Sequence, residues 1–222
     1  MTGGLPIDLI LFAMVAAFLV LRLRSVLGRR TGFERQAQSE APQAAPARGP
    51  AAEVDIGPRP AQGGAKRFIP APATAIGQVL QQIQQRDRSF EPNRFLDGAE
   101  TAFGLIVEAF ARGDRATLKP LLSDDAYAGF DQAISAREAA GETQRTELRS
   151  IEESAIEAAE LRGSVAEITV RLVTDQVNMV LARDGSVASG AEAVTEITDI
   201  WTFQRDLSYP DPTWKLVGSS PA

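Results

Sequence analysis

The pattern of apolar and polar positions changes three times along the chain, and each change predicts a different kind of element. An uninterrupted apolar run, Leu9 to Leu21, comes first, and a stretch with few large apolar residues follows it. Apolar residues then recur at helical spacing as far as about residue 141, and beyond it they alternate with polar residues. This order predicts a membrane-length helix, a linker and an α+β domain.

The apolar segment extends from Leu5 to Leu23 and is interrupted only by Asp8 and Arg22. At about 1.5 Å per residue it is roughly 28 Å long, close to the ~30 Å core of a bilayer. The residues expected to contact the membrane are Leu9, Ile10, Leu11, Phe12, Phe18, Leu19 and Leu21. A cleaved signal peptide would need basic residues ahead of the run. A buried helix of a soluble domain stays an alternative, because the uninterrupted part is short.

A basic flank follows the run and predicts its orientation. It consists of Arg22, Arg24, Arg29, Arg30 and Arg35. Because arginines beside a spanning helix stay on the cytoplasmic side, the N-terminus should lie outside and the body of the protein in the cytoplasm.

Residues 36–73 are rich in alanine, proline, glycine and glutamine, a composition that predicts a disordered linker. The domains expected are therefore an anchor with its basic flank (1–35), a linker (36–73) and an α+β domain (74–222). Near the end of the linker, RFIPAP is either a short docking motif or a chance apolar cluster in a tether.

The first helix expected in the α+β domain carries an apolar stripe formed by Ile76, Val79, Leu80 and Ile83. Two interpretations are open. The stripe packs on its own domain, or it docks on a partner protein or a membrane surface. In the second case, the stripe and the basic residues at the end of the helix form one site, which adds Arg86 and Arg88.

Three further helices are indicated by apolar periodicity and capping residues. The strongest runs from Pro92 to Arg112 and ends at Gly113. Asp114 is expected to N-cap a short helical segment that contains a proline. Ser123 is expected to N-cap a helix that ends at a glycine, Gly141.

The remaining third of the chain alternates as strands do. Apolar residues alternate over 168–172, 177–181 and 197–203, an Asp-Gly turn occupies 183–186, and 214–217 closes the chain. Residues 145–162 are helical by composition, but their position before a β-run favours a bent strand. The fold class predicted is α+β, with helices packed on one face of a curved antiparallel sheet.

Aromatic residues on the predicted helices and strands are candidates for an apolar cleft. The set is Phe103, Val107, Phe110, Tyr127, Phe130, Trp201, Phe203 and Trp214. They form either the core or a pocket for an acyl chain or a partner's apolar segment. Asp199 shares a strand face with Trp201 and should be either paired with Arg171 or Arg205 or, together with Tyr127, part of an isomerase-like acid–base site.

Composition and charge exclude several classes of function. The chain has no cysteine and no histidine, which removes disulfides, Cys/His zinc sites and Ser-His-Asp catalysis. Residues 86–222 contain 14 basic and 24 acidic residues, a net charge of −10. Such a surface repels nucleic acid and anionic lipid, so no nucleic-acid partner is expected. No cofactor and no metal are expected either.

Several segments together resemble the bacterial TIM-forty-four-like (Tim44-like) proteins. They are RLRSVLGRRTGFE behind the apolar run, FEPNRFLDGAETAFGLIVEAFARGDRATLKPLLS, REAAGET, and TDIWTFQRDLSYPDPTWKLV near the end. These proteins are relatives of the adaptor subunit of the mitochondrial inner-membrane protein-import translocase. The resemblance implies an NTF2-like, cone-like α+β domain, association with the inner membrane and an adaptor role in protein translocation or assembly.

The mitochondrial relative also recruits a chaperone motor and contacts cardiolipin through helices just ahead of its core. That position corresponds here to 75–88. This chain differs, because its apolar N-terminal run makes peripheral lipid binding less necessary. It is also expected to lack the long N-terminal region that engages the chaperone in that relative.

The function expected is that of a non-enzymatic, membrane-anchored adaptor of the bacterial inner membrane. It would cross the membrane once through its N-terminal helix, which contacts lipid, and hold an inner-membrane or translocation-related protein. The alternative is a lipid or hydrophobic-ligand binding module with an acyl-chain ligand in the cleft. An isomerase-like enzyme is less favoured than either.

Overall fold

A computed structural model describes residues 64–222. The expected membrane anchor and its basic flank, together with most of the expected linker, lie outside the described residues. Within 64–222, no helix is both long enough and apolar enough to cross a membrane.

Four helices and five strands make up the described part of the chain. In order they are β1 (Lys66–Phe68), α1 (Ala75–Arg86), α2 (Pro92–Arg112), α3 (Arg115–Leu121), α4 (Asp124–Ala140), β2 (Thr143–Arg162), β3 (Val165–Leu181), β4 (Val187–Asp206) and β5 (Lys215–Pro221). The predicted α+β class is confirmed, since the long helices precede the long strands.

The strands form one sheet in the order β1-β2-β3-β4-β5. β1 runs parallel to β2, and the other neighbours are antiparallel. Three register shifts interrupt the pairing of β2 with β3, between residues 148 and 158. Because such bulges bend a strand, β2 remains one strand over 20 residues. The prediction of a bent strand over 145–162 is therefore confirmed.

The predicted linker is wrong at its C-terminal end. Lys66–Phe68, assigned to a disordered segment by composition, is a strand that pairs with residues 153–155 of β2. The linker was predicted from its low content of large apolar residues. β1 is held in place by an ion pair between Arg67 and Glu100, a residue of α2 that lies 33 positions later in the sequence.

The helix ends follow the local signals in the sequence. The hydroxyl of Thr74, the carboxylate of Asp114 and the hydroxyl of Ser123 accept hydrogen bonds from backbone N–H groups in the first turns of α1, α3 and α4. Gly113 and Gly141 end α2 and α4 with φ of 69° and 72°, a left-handed conformation that glycine adopts without strain.

The core lies between the helices and one face of the sheet. Leu96, Phe103 and Ile106 of α2 are fully buried, as are alternate residues in the first half of β3. We call this side of the sheet the inner face. Val177 and Met179 are separated from Leu172 by an odd number of positions, so they point to the opposite face of β3.

Candidate functional site

The apolar stripe of α1 is buried against its own domain. Leu80 and Ile83 are 4% and 0% exposed, and Ile76 and Val79 are partly buried on the same core cluster. The prediction that this stripe docks on a partner or a membrane is therefore wrong. Its spacing is equally compatible with an internal neighbour, and the sheet provides one.

The opposite face of α1 is polar and exposed. Gln81, Gln84, Gln85 and Arg88 line a shallow concavity on this face. The guanidinium of Arg86 donates a hydrogen bond to the carbonyl of Gly163 in the β2–β3 turn. Only the arginines of the predicted α1 site thus lie at the surface, and one of them contacts this domain.

The aromatic residues expected to line a cleft are packed against one another. The rings of Phe103 and Trp201 are 4.6 Å apart between centroids, and the ring of Phe203 is 6.2 Å from that of Trp201. Trp214 packs edge-on against Phe95, with centroids 5.0 Å apart. These rings fill the space between helices and sheet, so they form core.

The other residues of the expected cleft form a second contact group at α4. Phe110 and Phe130 pack edge to face with centroids 5.2 Å apart, and Val107 joins the same core cluster. The ammonium of Lys119 lies 6.0 Å from the centre of the Tyr127 ring. Within residues 64–222, no hydrogen bond joins Tyr127 to Asp199. The structure therefore does not bring together the two residues of the isomerase-like acid–base site.

Asp199 lies on the inner face without an ionic partner among the described residues. It stands opposite Leu172 on β3 and Pro221 on β5. Burial raises its pKa to about 6. The pairing expected with an arginine is wrong, because Arg171 binds glutamates on β2 and Arg205 binds Asp87.

The ion pair of Arg205 ties the end of α1 to β4. Its Nη1 donates to Oδ2 of Asp87 at 2.7 Å, and both side chains are nearly buried. Burial alone would raise the pKa of Asp87, but hydrogen bonds from Ser89 and Arg205 outweigh it and hold that pKa below its ordinary value. The pair is structural, since both charges are satisfied locally.

A row of hydrogen-bonded polar side chains occupies the inner face beyond Asp199. We call it the polar ladder: Gln144, Thr146, Asn178, Gln176 and Thr174. In that order each joins the next, at donor–acceptor distances of 3.1, 2.6, 3.1 and 2.7 Å. Thr174 and Gln176 are 0% and 3% exposed. The ladder was not predicted from the sequence, although its members on β3 continue the alternation of inward-facing residues that begins at Ile168.

Both ends of the ladder are anchored. The hydroxyl of Thr174 donates to the carbonyl of Ile197 at 3.3 Å. At the other end, Arg137 donates to Oε1 of Gln144 at 2.6 Å and to the carbonyl of Phe110 at 2.7 Å, near the end of α2. Burial lowers the pKa of Arg137. The ladder therefore connects the sheet to the ends of two helices.

An arginine clamp holds β1 to the domain. Arg67 donates from Nε and Nη2 to the two carboxylate oxygens of Glu100, at 3.0 and 2.7 Å. Its Nη2 also lies 2.7 Å from Oδ1 of Asp97. Oε1 of Glu100 accepts a further hydrogen bond, 2.6 Å long, from the hydroxyl of Ser154. The segment RFIPAP is thus engaged with its own domain.

No group of three or more acidic residues that could hold a metal ion occurs in residues 64–222. The described residues form a layer of helices on a mostly antiparallel sheet, a filled aromatic core, a polar ladder and a clamped edge strand. In this α+β domain, the most distinctive polar groups near the surface are the arginine clamp at the sheet edge and the glutamines on the exposed face of α1.

The chain belongs to the Tim44-like family, because the model of the Tim44-like domain matches residues 76–220. The resemblance inferred from the sequence is thereby confirmed. No curated protein matches the chain significantly.

Several solved structures are similar to parts of the chain. The intermembrane space region of the chloroplast protein ARC6 has 11% identity, 55% of this chain and 92% of that one covered, and a TM-score of 0.40. A putative dehydratase of the NTF2-like family from Streptomyces avermitilis has 16% identity, 59% and 99% coverage and a TM-score of 0.37. A periplasmic fragment of TraM has 17% identity, 55% and 96% coverage and a TM-score of 0.34.

Proposed function

We propose that this protein is an adaptor of the bacterial inner membrane, anchored by its N-terminal apolar segment and binding a protein partner through its Tim44-like domain. One observation carries the proposal. A Tim44-like domain over residues 76–220 follows, in the same chain, an apolar run of bilayer length with arginines behind it.

The interior of the domain supports a protein-binding role over a lipid-binding one. An acyl chain needs a concave apolar site, whereas the candidate rings are within packing distance of one another. The groups that line the concavity at the end of α1 are three glutamine amides and the guanidinium of Arg88, just after the helix. These groups suit hydrogen bonding to a protein surface better than burial in a hydrocarbon phase.

We also propose that the chain is not an enzyme. An isomerase-like reaction needs a carboxylate base and a hydrogen-bond donor converging on one substrate position. Asp199 lies between Leu172 and Pro221 in the sheet, and the Tyr127 ring packs at Lys119 on the helix layer. The raised pKa of Asp199 is explained by burial alone, with no second group involved.

The membrane half of the proposal is tested by deletion. Removing residues 1–24 should move the protein from the membrane fraction to the soluble fraction, because the domain at −10 is repelled by anionic lipid. A truncated protein that stays with membranes through 1 M salt would show that something else holds it there.

The partner half is tested by crosslinking in intact cells. A photoreactive amino acid at Gln81 or Gln85, on the exposed face of α1, should capture inner-membrane or translocation-related proteins. The same amino acid at Tyr209, which is 66% exposed and far along the chain, is the control. Capture of lipid alone at the α1 positions would favour the lipid-binding module.

A further inference from the structure

Among residues 64–222, the edge of the sheet that carries β1 is largely without a strand partner. β1 pairs through three residues, Lys66–Phe68, with Glu153–Ala155 of β2. β2 is 20 residues long, and its remaining edge has no strand partner within residues 64–222. An open strand edge offers unpaired N–H and C=O groups to any extended segment.

The acceptor for an arginine at this edge is built by the body of the domain. Glu100 and Asp97 are on α2, three residues apart, and Ser154 is on β2. The hydroxyl of Ser154, fully buried, donates to Oε1 of Glu100 and orients the carboxylate. The carboxylate is 15% exposed and accepts a two-pronged contact, a geometry that arginine fits and lysine does not.

The two residues after Arg67 differ in their contacts with the domain. Ile69, two positions after Arg67 and on the same side of the segment, packs on the core cluster. Phe68 between them is 52% exposed. The site therefore holds the Arg-x-Ile pattern of this chain, with Arg67 at Glu100 and Ile69 against the core.

We propose that this edge of β2 binds an extended, arginine-containing segment of a partner protein, and that β1 occupies it as an internal competitor. The proposal rests on the proposed adaptor function and names how the partner is held. A partner strand that continues toward Thr143 would form backbone hydrogen bonds that the three residues of β1 do not form. β1, in turn, has the advantage of a high effective concentration because it belongs to the same chain.

The test uses the full chain in detergent micelles and a synthetic peptide, GAKRFIPAP, with a benzophenone amino acid in place of the phenylalanine. In the variant Arg67→Glu, β1 faces Glu100 with a like charge and should leave the edge. Light-induced crosslinking of the peptide to β2 should then rise about tenfold over wild type. Arg94→Glu is the matched control, since Arg94 is 79% exposed and, within residues 64–222, forms an ion pair with Glu91 alone, the N-cap residue of α2.

Two further measurements decide the outcome. Adding Glu100→Gln to Arg67→Glu should return the crosslinking to the wild-type level, and a peptide with alanine for arginine should not crosslink. Equal yields in wild type and Arg67→Glu, or no effect of Glu100→Gln, would overturn the proposal. If the wild-type chain forms dimers that Arg67→Glu abolishes, a second copy of β1 is the occupant and the partner version is wrong.

If the Arg67→Glu variant unfolds, its amides at Ile168–Leu172 lose protection from hydrogen exchange, and the wild-type chain is tested instead. Excess peptide added to the wild-type chain should then speed amide exchange at Lys66–Phe68, and unchanged exchange would overturn the proposal. The crosslinking from α1 and the fractionation of the deletion variant do not depend on this edge. A negative result at the β2 edge would therefore leave the proposed adaptor function intact. A failure of the adaptor function would be seen in the α1 crosslinking and the fractionation experiments instead.

Discussion

The inner face of β3 contains two halves that are equally buried and chemically opposite. Ile168, Val170 and Leu172 are 0% exposed and pack under the aromatic rings of α2 and β4. Thr174 and Gln176 continue the same face at 0% and 3% exposure, but they are joined by hydrogen bonds. Burial alone thus does not distinguish the two halves.

The difference between the halves lies in what burial requires. In the apolar half, stability comes from removing hydrocarbon from water and from close packing, which tolerate no missing volume. In the polar half, each group must keep its partner, because a buried donor or acceptor without one costs about 1–3 kcal/mol. The apolar half is sensitive to size and the polar half to chemistry.

The largest effect should come from removing volume in the apolar half. Phe103→Ala deletes a fully buried ring that packs at a tilt against Trp201, and it should lower the free energy of unfolding by about 3–5 kcal/mol. Urea denaturation followed by far-UV circular dichroism measures this. Leu105→Ala, two positions away and 45% exposed, should change it by less than about 0.5 kcal/mol. Similar costs for both would contradict the assignment of the ring to the core.

The next effect concerns Asp199, which lies where the two halves meet. Its pKa is raised from 3.8 to about 6, so the folded state binds a proton more tightly than the unfolded state does. The contribution of the neutral carboxyl is complete below about pH 3.8 and is lost as pH rises to about 6. The loss should be on the order of 3 kcal/mol, since one pKa unit corresponds to about 1.4 kcal/mol.

Asp199→Asn provides the control for that pH dependence. Between pH 4 and 6 the wild type should lose stability relative to this variant, and above pH 6 the difference should stay constant. Urea denaturation of both proteins at half-unit pH steps measures it. A difference that does not change with pH would show that Asp199 titrates normally.

Much of the fold could be predicted because its signals are local. The N-caps at Asp114 and Ser123 and the glycine ends at Gly113 and Gly141 each depend on a few neighbouring residues. The alternation in the strands likewise requires only a window of sequence. The bent strand over 145–162 was recognised from its position in the chain, against its composition.

The site could not be predicted to the same extent because it depends on distant pairs. The clamp that makes a strand of β1 joins Arg67 to a residue 33 positions away. The sequence also could not distinguish a packed core from an open cleft. An aromatic residue on a helix has the same sequence spacing whether or not an aromatic residue of the sheet packs against it. The stripe of α1 illustrates this, because Ile83 has the spacing of a docking residue and is fully buried in its own domain.

An exchange of side chains between the two halves tests the comparison directly. Thr174→Val keeps the shape of the side chain but leaves the amide of Gln176 without its acceptor, and Val170→Thr places a hydroxyl among apolar neighbours. Each should lower the free energy of unfolding by about 1–2 kcal/mol, although one makes the core more apolar and the other less. Urea denaturation is the measurement. A stabilising Thr174→Val would mean that the ladder is not a requirement of the fold.

The smallest effect should come from the outer face of the sheet, directly behind the apolar half. Arg171 is opposite Ile200 in the sheet and pairs with Glu153 and Glu157, Nε lying 2.6 Å from Oε1 of Glu157. These groups retain contact with water, so Arg171→Met should cost less than about 1 kcal/mol. Because salt screens such pairs, the difference from wild type should shrink further in 1 M sodium chloride. A cost above 2 kcal/mol that salt leaves unchanged would mean that this face is as buried as the inner one, and that something covers it.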